Sequence, residues 1–372
     1  MDEYAKRFRL MCPGPVNVSQ RVFDAMVKSE IGHRESEFSV LMASIRRNCL
    51  HLMNLSEEQY SMVVITGSGS AGNEAVITSA IRPEDHVLSL ATGEFGRRLG
   101  DISSIYNPNT TILLQDWATP IDLQAVENHL KTGEFQWVTM VHNETSTGEL
   151  QPVKEVGELC HRYGARLFVD AVSSFMVDPL DLDACHITFM NTSSGKAIGM
   201  PPGLSIVVGR RDEFEKLTNY PVRNYYLSLA RHYKFFMDKL QTPNTPSVPL
   251  FLALNEAFKI ILEEGVERRM QYQALKARMF RTGIQEMGLS LLNPEHELSF
   301  AVSTICLPAG ICFDKLRDAL REKGFIVYGG KGPLMGKIFQ VSTMGYVDCD
   351  DVSDLIQAIR HSLHECKRSM AN

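Results

Sequence analysis

Two side chains of opposite charge, Asp170 and Lys196, stand 26 residues apart, and each follows an apolar run. Leu167-Phe168-Val169 leads into Asp170, and Ile187-Thr188-Phe189-Met190 continues through Asn191-Thr192-Ser193-Ser194-Gly195 to Lys196. Runs rich in β-branched and aromatic residues read as buried parallel strands, each delivering a polar residue at its carboxyl end. In an open α/β sheet that edge is where ligands bind. An acid and an amine brought to one edge suit pyridoxal 5'-phosphate chemistry. The amine bonds to the cofactor's aldehyde carbon, and the acid keeps the pyridine nitrogen protonated so that the ring withdraws electrons. Singly, each residue has an ordinary explanation: Asp170 would serve equally as a helix N-cap, and an isolated lysine is usually a solvated surface group.

Other segments converge on the same edge. Gly67-Ser68-Gly69-Ser70-Ala71-Gly72 follows Val63-Val64-Ile65-Thr66 and opens a helix. Free backbone N–H groups there cradle an anion, and the hydroxyls of Ser68 and Ser70 add donors. The composition also fits a plain strand-to-helix turn, and no Gly-Lys-Ser/Thr closes it as in a P-loop. Lys196 precedes a Pro201-Pro202-Gly203 turn that restricts the backbone. Partly desolvated, such a lysine has a depressed pKa and can act as nucleophile and proton carrier. Phe95, between Gly93 and Gly96, suits stacking on a flat ring, although a lone Phe is more often core. His142-Asn143-Glu144-Thr145-Ser146-Thr147-Gly148 ends a further apolar run with polar groups.

Positioning these residues requires an α/β fold, a large domain with a mostly parallel sheet and crossover helices. Strands are expected at 61–66, 86–90, 111–114, 137–142, 166–170, 187–191 and 204–209, with helices at 71–80 and 153–163. The latter helix puts Val153, Val156, Leu159 and Cys160 on one face. An apolar, helix-forming stretch at 247–264 leads to a smaller C-terminal α+β domain. Its expected helices are 266–287, 314–323 and 351–365, and its strands 300–307, 325–328 and 338–342. The predicted domains are 21–255 and 256–372, preceded by an N-terminal segment, 1–20.

Composition narrows the class. The chain of 372 residues is 44% hydrophobic and 22% charged, which suffices for two cores. Its net charge of −6, from 38 basic and 44 acidic residues, argues against a nucleic-acid or anionic-membrane partner. Eight cysteines without a CxxC pair read as reduced, mostly buried thiols of a cytoplasmic protein, and no metal is expected. Met1-Asp2-Glu3-Tyr4 is acidic and lacks the apolar stretch of a signal peptide, and no segment approaches membrane-spanning length.

In order, Pro13-Gly14-Pro15-Val16-Asn17-Val18, Gly32-His33-Arg34-Glu35-Ser36-Glu37-Phe38, Thr66-Gly67-Ser68-Gly69-Ser70, His142 to Gly148, Val169-Asp170-Ala171-Val172-Ser173-Ser174 and Ser193-Ser194-Gly195-Lys196 carry a resemblance. The chain resembles the class V aminotransferases of the fold-type I pyridoxal phosphate enzymes over nearly its whole length. It is most similar to 2-aminoethylphosphonate–pyruvate transaminases, then to alanine–glyoxylate and serine–pyruvate aminotransferases. The resemblance implies that Lys196 holds the cofactor and Asp170 pairs with its pyridine nitrogen, with Val172 also binding it. Phe95 would stack on the ring where relatives carry Tyr or Trp. Ser68, Gly69 and Ser70 would take the phosphate, and Thr145 would lie near the phenolic oxygen. Thr242 and Thr245 match a stretch that reaches the neighbouring subunit's phosphate, so a homodimer with interfacial sites is implied. Pro15, Asn17, His33, Arg34 and Gln340 fall on the substrate side, and the N-terminal segment would contribute to the site.

One position departs from the pattern. Where relatives commonly carry an arginine for the substrate's acid group, this chain has Gln340. A neutral amide lacks the charged bidentate fork, so another cation such as Arg34 reads the acid, or the substrate differs. The expected reaction moves the amino group of 2-aminoethylphosphonate, or a close analogue, to pyruvate, giving phosphonoacetaldehyde and alanine. The alternatives are an ammonia-lyase acting on a hydroxylated aminophosphonate and an alanine–glyoxylate or serine–pyruvate type aminotransferase. A cysteine desulfurase needs a nucleophilic cysteine on a mobile loop, which none of the eight signals. A non-catalytic binding module would tolerate loss of Lys196 or Asp170, and both are present.

Overall fold

The computed structural model describes residues 8–28 and 30–371, so the expected N-terminal segment lies outside the described residues as far as residue 7. Seven strands form the main sheet: β1 (Tyr60–Thr66), β2 (Val87–Ala91), β3 (Thr110–Leu114), β4 (Trp137–Val141), β5 (Arg166–Asp170), β6 (Ile187–Ser193) and β7 (Leu204–Arg210). Their spatial order is β1-β7-β6-β5-β4-β2-β3. Strands β2 to β6 run parallel, as expected, and β7 runs antiparallel to both β1 and β6. Only residues 194–203 join β6 to β7. A parallel return needs a crossover of a dozen residues or more, so the chain turns straight back. Lys196 rides on that return.

Every residue of β2, β4 and β6 is buried, because helices cover both faces. On one face Leu88, Val138, Val169, Met190 and Ile206 pack with Phe38 and Ile45 of helix Ser36–Leu52 and Leu254 and Phe258 of helix Val248–Glu264. On the other, Ile65, Val87, Trp137, Phe168, Phe189 and Val207 meet Ala75 and Val76 of helix Gly69–Ala80. Alternate residues of one strand thus feed two cores, which is why these runs are continuously apolar.

A separate cluster joins Phe280, Leu316, Leu320, Leu355 and Ile359 to Ile305, Phe339 and Val341. The last three lie in an antiparallel sheet of Ser303–Cys306, Ile338–Val341 and Tyr328–Gly329. The single strand expected at 325–328 is divided: Phe325–Ile326 pairs in parallel with Arg9–Leu10, and Tyr328–Gly329 joins Ile338–Val341. Helix Val248–Glu264 runs unbroken through residue 255 and buries Phe251, Leu254, Phe258 and Ile261 in the core of the main sheet. Among the described residues no helix is long and apolar enough to cross a membrane.

Candidate active site

Register sets Asp170 directly beside Asn191 at the carboxyl edge of β5 and β6. Its Oδ1 accepts from Val172 N at 2.8 Å and its Oδ2 from Asn73 Nδ2 at 2.6 Å. Asn73 is itself fixed, since Asn191 Nδ2 donates to Asn73 Oδ1 (2.7 Å) and to Gly69 O (2.8 Å). Ser205 Oγ on β7 donates to Asn191 Oδ1 at 2.9 Å. The helix comes so close to the sheet that a Cβ on Gly72 would lie 2.1 Å from Asn191 Oδ1 and 2.2 Å from Ser205 Oγ. Burial pushes the Asp170 carboxyl above the usual range, while Asn73, Val172, Lys196 and Arg98 pull it back.

The loop after β6 is pinned on itself: Ser194 Oγ donates to Pro201 O (2.8 Å) and accepts from Leu204 N (3.1 Å). From it Lys196 Nζ donates to Ser173 Oγ at 2.7 Å, and Ser173 Oγ shares a 2.5 Å hydrogen bond with Thr145 Oγ1. Gly14, at φ +137°, abuts the lysine stem, where an added Cβ would meet Lys196 Cε at 3.3 Å. Burial lowers the Lys196 pKa to about 8 despite the attraction of Asp170. About a tenth of the amine is then neutral at pH 7, against roughly one in a thousand or fewer at an ordinary lysine pKa. Neighbouring His142, buried with Nδ1 2.9 Å from Ser174 Oγ, is pushed by burial down to about 4 and stays neutral.

Two helices begin at this edge, and they differ in one respect. Helix Glu94–Tyr106 already holds a protein acceptor, the fully buried carboxyl group of Glu144, which burial pushes above the usual range while its hydrogen bonds pull it back. It accepts from Phe95 N (3.1 Å), Gly96 N (2.8 Å), Ser146 N (3.0 Å) and Ser146 Oγ. This fixes Phe95, whose ring centroid lies 5.6 Å from Lys196 Nζ. Helix Gly69–Ala80 starts at Ser68, whose side chain makes no cap bond. A Cβ on Gly69 would lie 2.8 Å from Val172 Cγ2, so the turn is held open to backbone approach. Its N-terminal N–H groups and the Ser68 and Ser70 hydroxyls form a cradle in which, among the described residues, no carboxyl group is hydrogen-bonded, which fits a phosphate.

The other expected residues are placed differently. Gln340 is buried, and its Nε2 donates to Thr145 O (2.6 Å) and Thr304 Oγ1 (3.3 Å). The Asn17 amide is committed to the backbone of Leu10, at 2.9 Å to both its N and its O. Pro15 is exposed next to Gly14. The Arg34 guanidinium donates to Thr242 O (2.6 Å), Gln241 Oε1 (3.4 Å) and Pro243 O (3.4 Å). Among the described residues no hydrogen bond or ion pair joins His33, Arg34, Thr242 or Thr245 to Lys196 or Asp170. Asn73, Ser173 and Asn191 enter the site without having been singled out. Their one sequence signal is position, on the first turns of the cradle helix or beside Asp170 and Lys196.

Residues 19–364 match the aminotransferase class-V family. The chain is a class V aminotransferase. It is a fold-type I enzyme dependent on pyridoxal 5'-phosphate, and the anion cradle, Phe95 platform, buried acid and depressed lysine suit that cofactor. An uncharacterized aminotransferase of Methanocaldococcus jannaschii is 35% identical over 96% of this chain and 92% of its own. A 2-aminoethylphosphonate–pyruvate transaminase of Salmonella typhimurium is 29% identical over 98% of this chain and 100% of its own. The crystal structure of an alanine–glyoxylate aminotransferase from Nostoc sp. matches with a TM-score of 0.91 at 30% identity, covering 96% of this chain and 95% of that one.

Proposed function

We propose that this aminotransferase moves the amino group of 2-aminoethylphosphonate, or a close analogue, to pyruvate, yielding phosphonoacetaldehyde and alanine. The observation that carries the reading is Gln340: its amide hydrogens are spent on Thr145 O and Thr304 Oγ1. No charged fork therefore stands there for a carboxylate attached directly to the reacting carbon. On the donor side, an amine whose acid lies one carbon further away asks for no charged fork at that place, whereas the carboxylate of pyruvate, which does sit on the reacting carbon, is left to another cation. End-to-end similarity to a transaminase of that specificity supports the same choice.

In this reading Lys196 carries the cofactor, and its amine, once free, moves a proton off the substrate carbon. Ser173, backed by Thr145, orients that amine through the 2.7 Å bond at Nζ. Asp170, steadied by Asn73 and the Val172 N–H, presents negative charge where the ring nitrogen must stay protonated. Phe95 shields one face from water. The cofactor, when bound, supplies the electron withdrawal that makes the substrate carbon acidic. A homodimer in the cytoplasm completes the proposal, with Thr242 and Thr245 serving the neighbouring subunit's cofactor. Buried thiols at Cys12, Cys49, Cys160 and Cys185 suit a reducing compartment.

The test is the half-reaction. Holoenzyme mixed with 2-aminoethylphosphonate should lose the visible absorbance of its aldehyde-form cofactor, and pyruvate should restore it. Full conversion by alanine or serine, with none by the phosphonate, overturns the substrate. Ammonia released without any keto acid identifies a lyase instead.

A further inference from the structure

We propose that Lys331 binds the acid group of the substrate, a phosphonate or carboxylate oxyanion, in place of the cation that position 340 lacks. The inference rests on the transaminase reading above and assigns the residue that reading leaves open.

Three cations gather around the Phe95 ring: Arg98 Cζ at 4.7 Å, Lys331 Nζ at 5.0 Å and Lys196 Nζ at 5.6 Å from its centroid. Two of them are committed. Arg98 pairs with Glu94 at 3.4 Å, and Lys196 donates to Ser173. Lys331 alone of the three has no carboxylate or hydrogen-bond acceptor within reach among the described residues. An ammonium that shares a ring with other cations and has no counter-ion is unfavourable, and an oxyanion seated there relieves it. The two charges do sense each other, since Lys331 helps to depress Lys196.

The backbone holds Lys331 at this place. It follows Tyr328–Gly329, where Tyr328 is the cross-strand partner of Gln340. It precedes the short turn Gly332–Leu334. A Cβ on Gly330 would lie 2.2 Å from Leu334 O, and one on Gly332, at φ +48°, would lie 2.9 Å from the Trp117 ring. The loop is thus pressed between its own turn and Trp117, so the lysine is carried by shaped backbone. Arg34, the cation expected from the sequence, instead donates to the 241–243 turn.

The experiment uses holoenzyme and two unreactive acids, ethylphosphonate and propionate, titrated calorimetrically into wild type, Lys331→Met and Lys331→Arg. Lys331→Met should weaken binding about 10- to 100-fold, the range of a lost charge-assisted contact. It should raise KM for the amine to a similar degree with kcat changed less than about threefold, and Lys331→Arg should recover most of the loss. The dissociation constant of pyridoxal phosphate should stay put. Unchanged acid binding in Lys331→Met overturns the proposal, as does weakened cofactor binding in its place, which would assign Lys331 to the cofactor's phosphate. If wild type binds propionate but not ethylphosphonate, and Lys331→Met loses the propionate, the phosphonate reading falls while the role of Lys331 stands. Failure of wild type to bind either acid removes both.

Discussion

At the residue scale, the central group is an amine held close to neutrality by its surroundings. Lys196 faces a buried carboxylate that favours its charged form, yet desolvation wins and the pKa falls to about 8. The sign gives a prediction. The folded pKa lies below the ordinary value, so the free amine gains population as pH rises through about 8, well before 10. Uptake of pyridoxal phosphate by the apoprotein, followed by visible absorbance, should therefore speed up roughly tenfold between pH 7 and pH 9 and level off above. A rate still climbing at pH 10 would remove the depressed lysine, and Lys196→Ala should show no covalent uptake at any pH. Asp170 and Lys196 stand out in the sequence because the one ends an apolar run and the other follows one closely; in the structure Asp170 ends β5, and Lys196 lies on the return after β6. Asn73 was not legible there, since it meets Asp170 from 97 residues away. The engagement of Gln340 was equally hidden, because its partners Thr145 and Thr304 come from a turn 195 residues away and from the neighbouring strand.

At the scale of elements, two helix N-termini share one sheet edge and are used in opposite ways. Glu144 satisfies the start of helix Glu94–Tyr106 from inside the protein, whereas Ser68 makes no cap bond at the start of helix Gly69–Ala80. Replacing Glu144 by Ala strands several buried N–H groups and should cost about 2–3 kcal/mol of stability. Ser68→Ala, which breaks no cap bond, should cost less than about 0.5 kcal/mol while weakening cofactor retention. Urea unfolding of both apoproteins checks the pair, and equal midpoints would sink the distinction. The strands themselves were readable from continuous apolar runs. Their spatial order was not, and neither was the reversed direction of β7, which follows from the shortness of the loop after β6 rather than from any run of residue types.

At the scale of the whole molecule, the residues of the proposed site fall into two groups. One surrounds Lys196, and the other, Arg34 with Thr242, is tied to itself. A second subunit would bring the groups together, and Val40, Val222 and Tyr225 are left largely exposed, as an unformed interface would leave them. Sedimentation equilibrium should return twice the chain mass at micromolar concentration; a monomer that still transaminates would remove Thr242 and Thr245 from the site. The helix Val248–Glu264, which spans the boundary expected at residue 255, belongs by packing to the main sheet. The pairing of Asp170 with Asn191 has a further consequence, for how such a protein can vary. Past the shift of register between Leu167 and Phe168, adding or deleting one residue in β5 or β6 would swing every later side chain to the opposite face, so from there on neither strand can change length and keep both the acid and the amine in place. The loop of residues 330–337 is held differently, by the close approach of Gly330 to Leu334 O and of Gly332 to the Trp117 ring, and no register of the main sheet runs through it. Descendants with new substrate preferences should therefore vary there, and keep the count from Phe168 to Asp170 and from Phe189 to Lys196 unchanged.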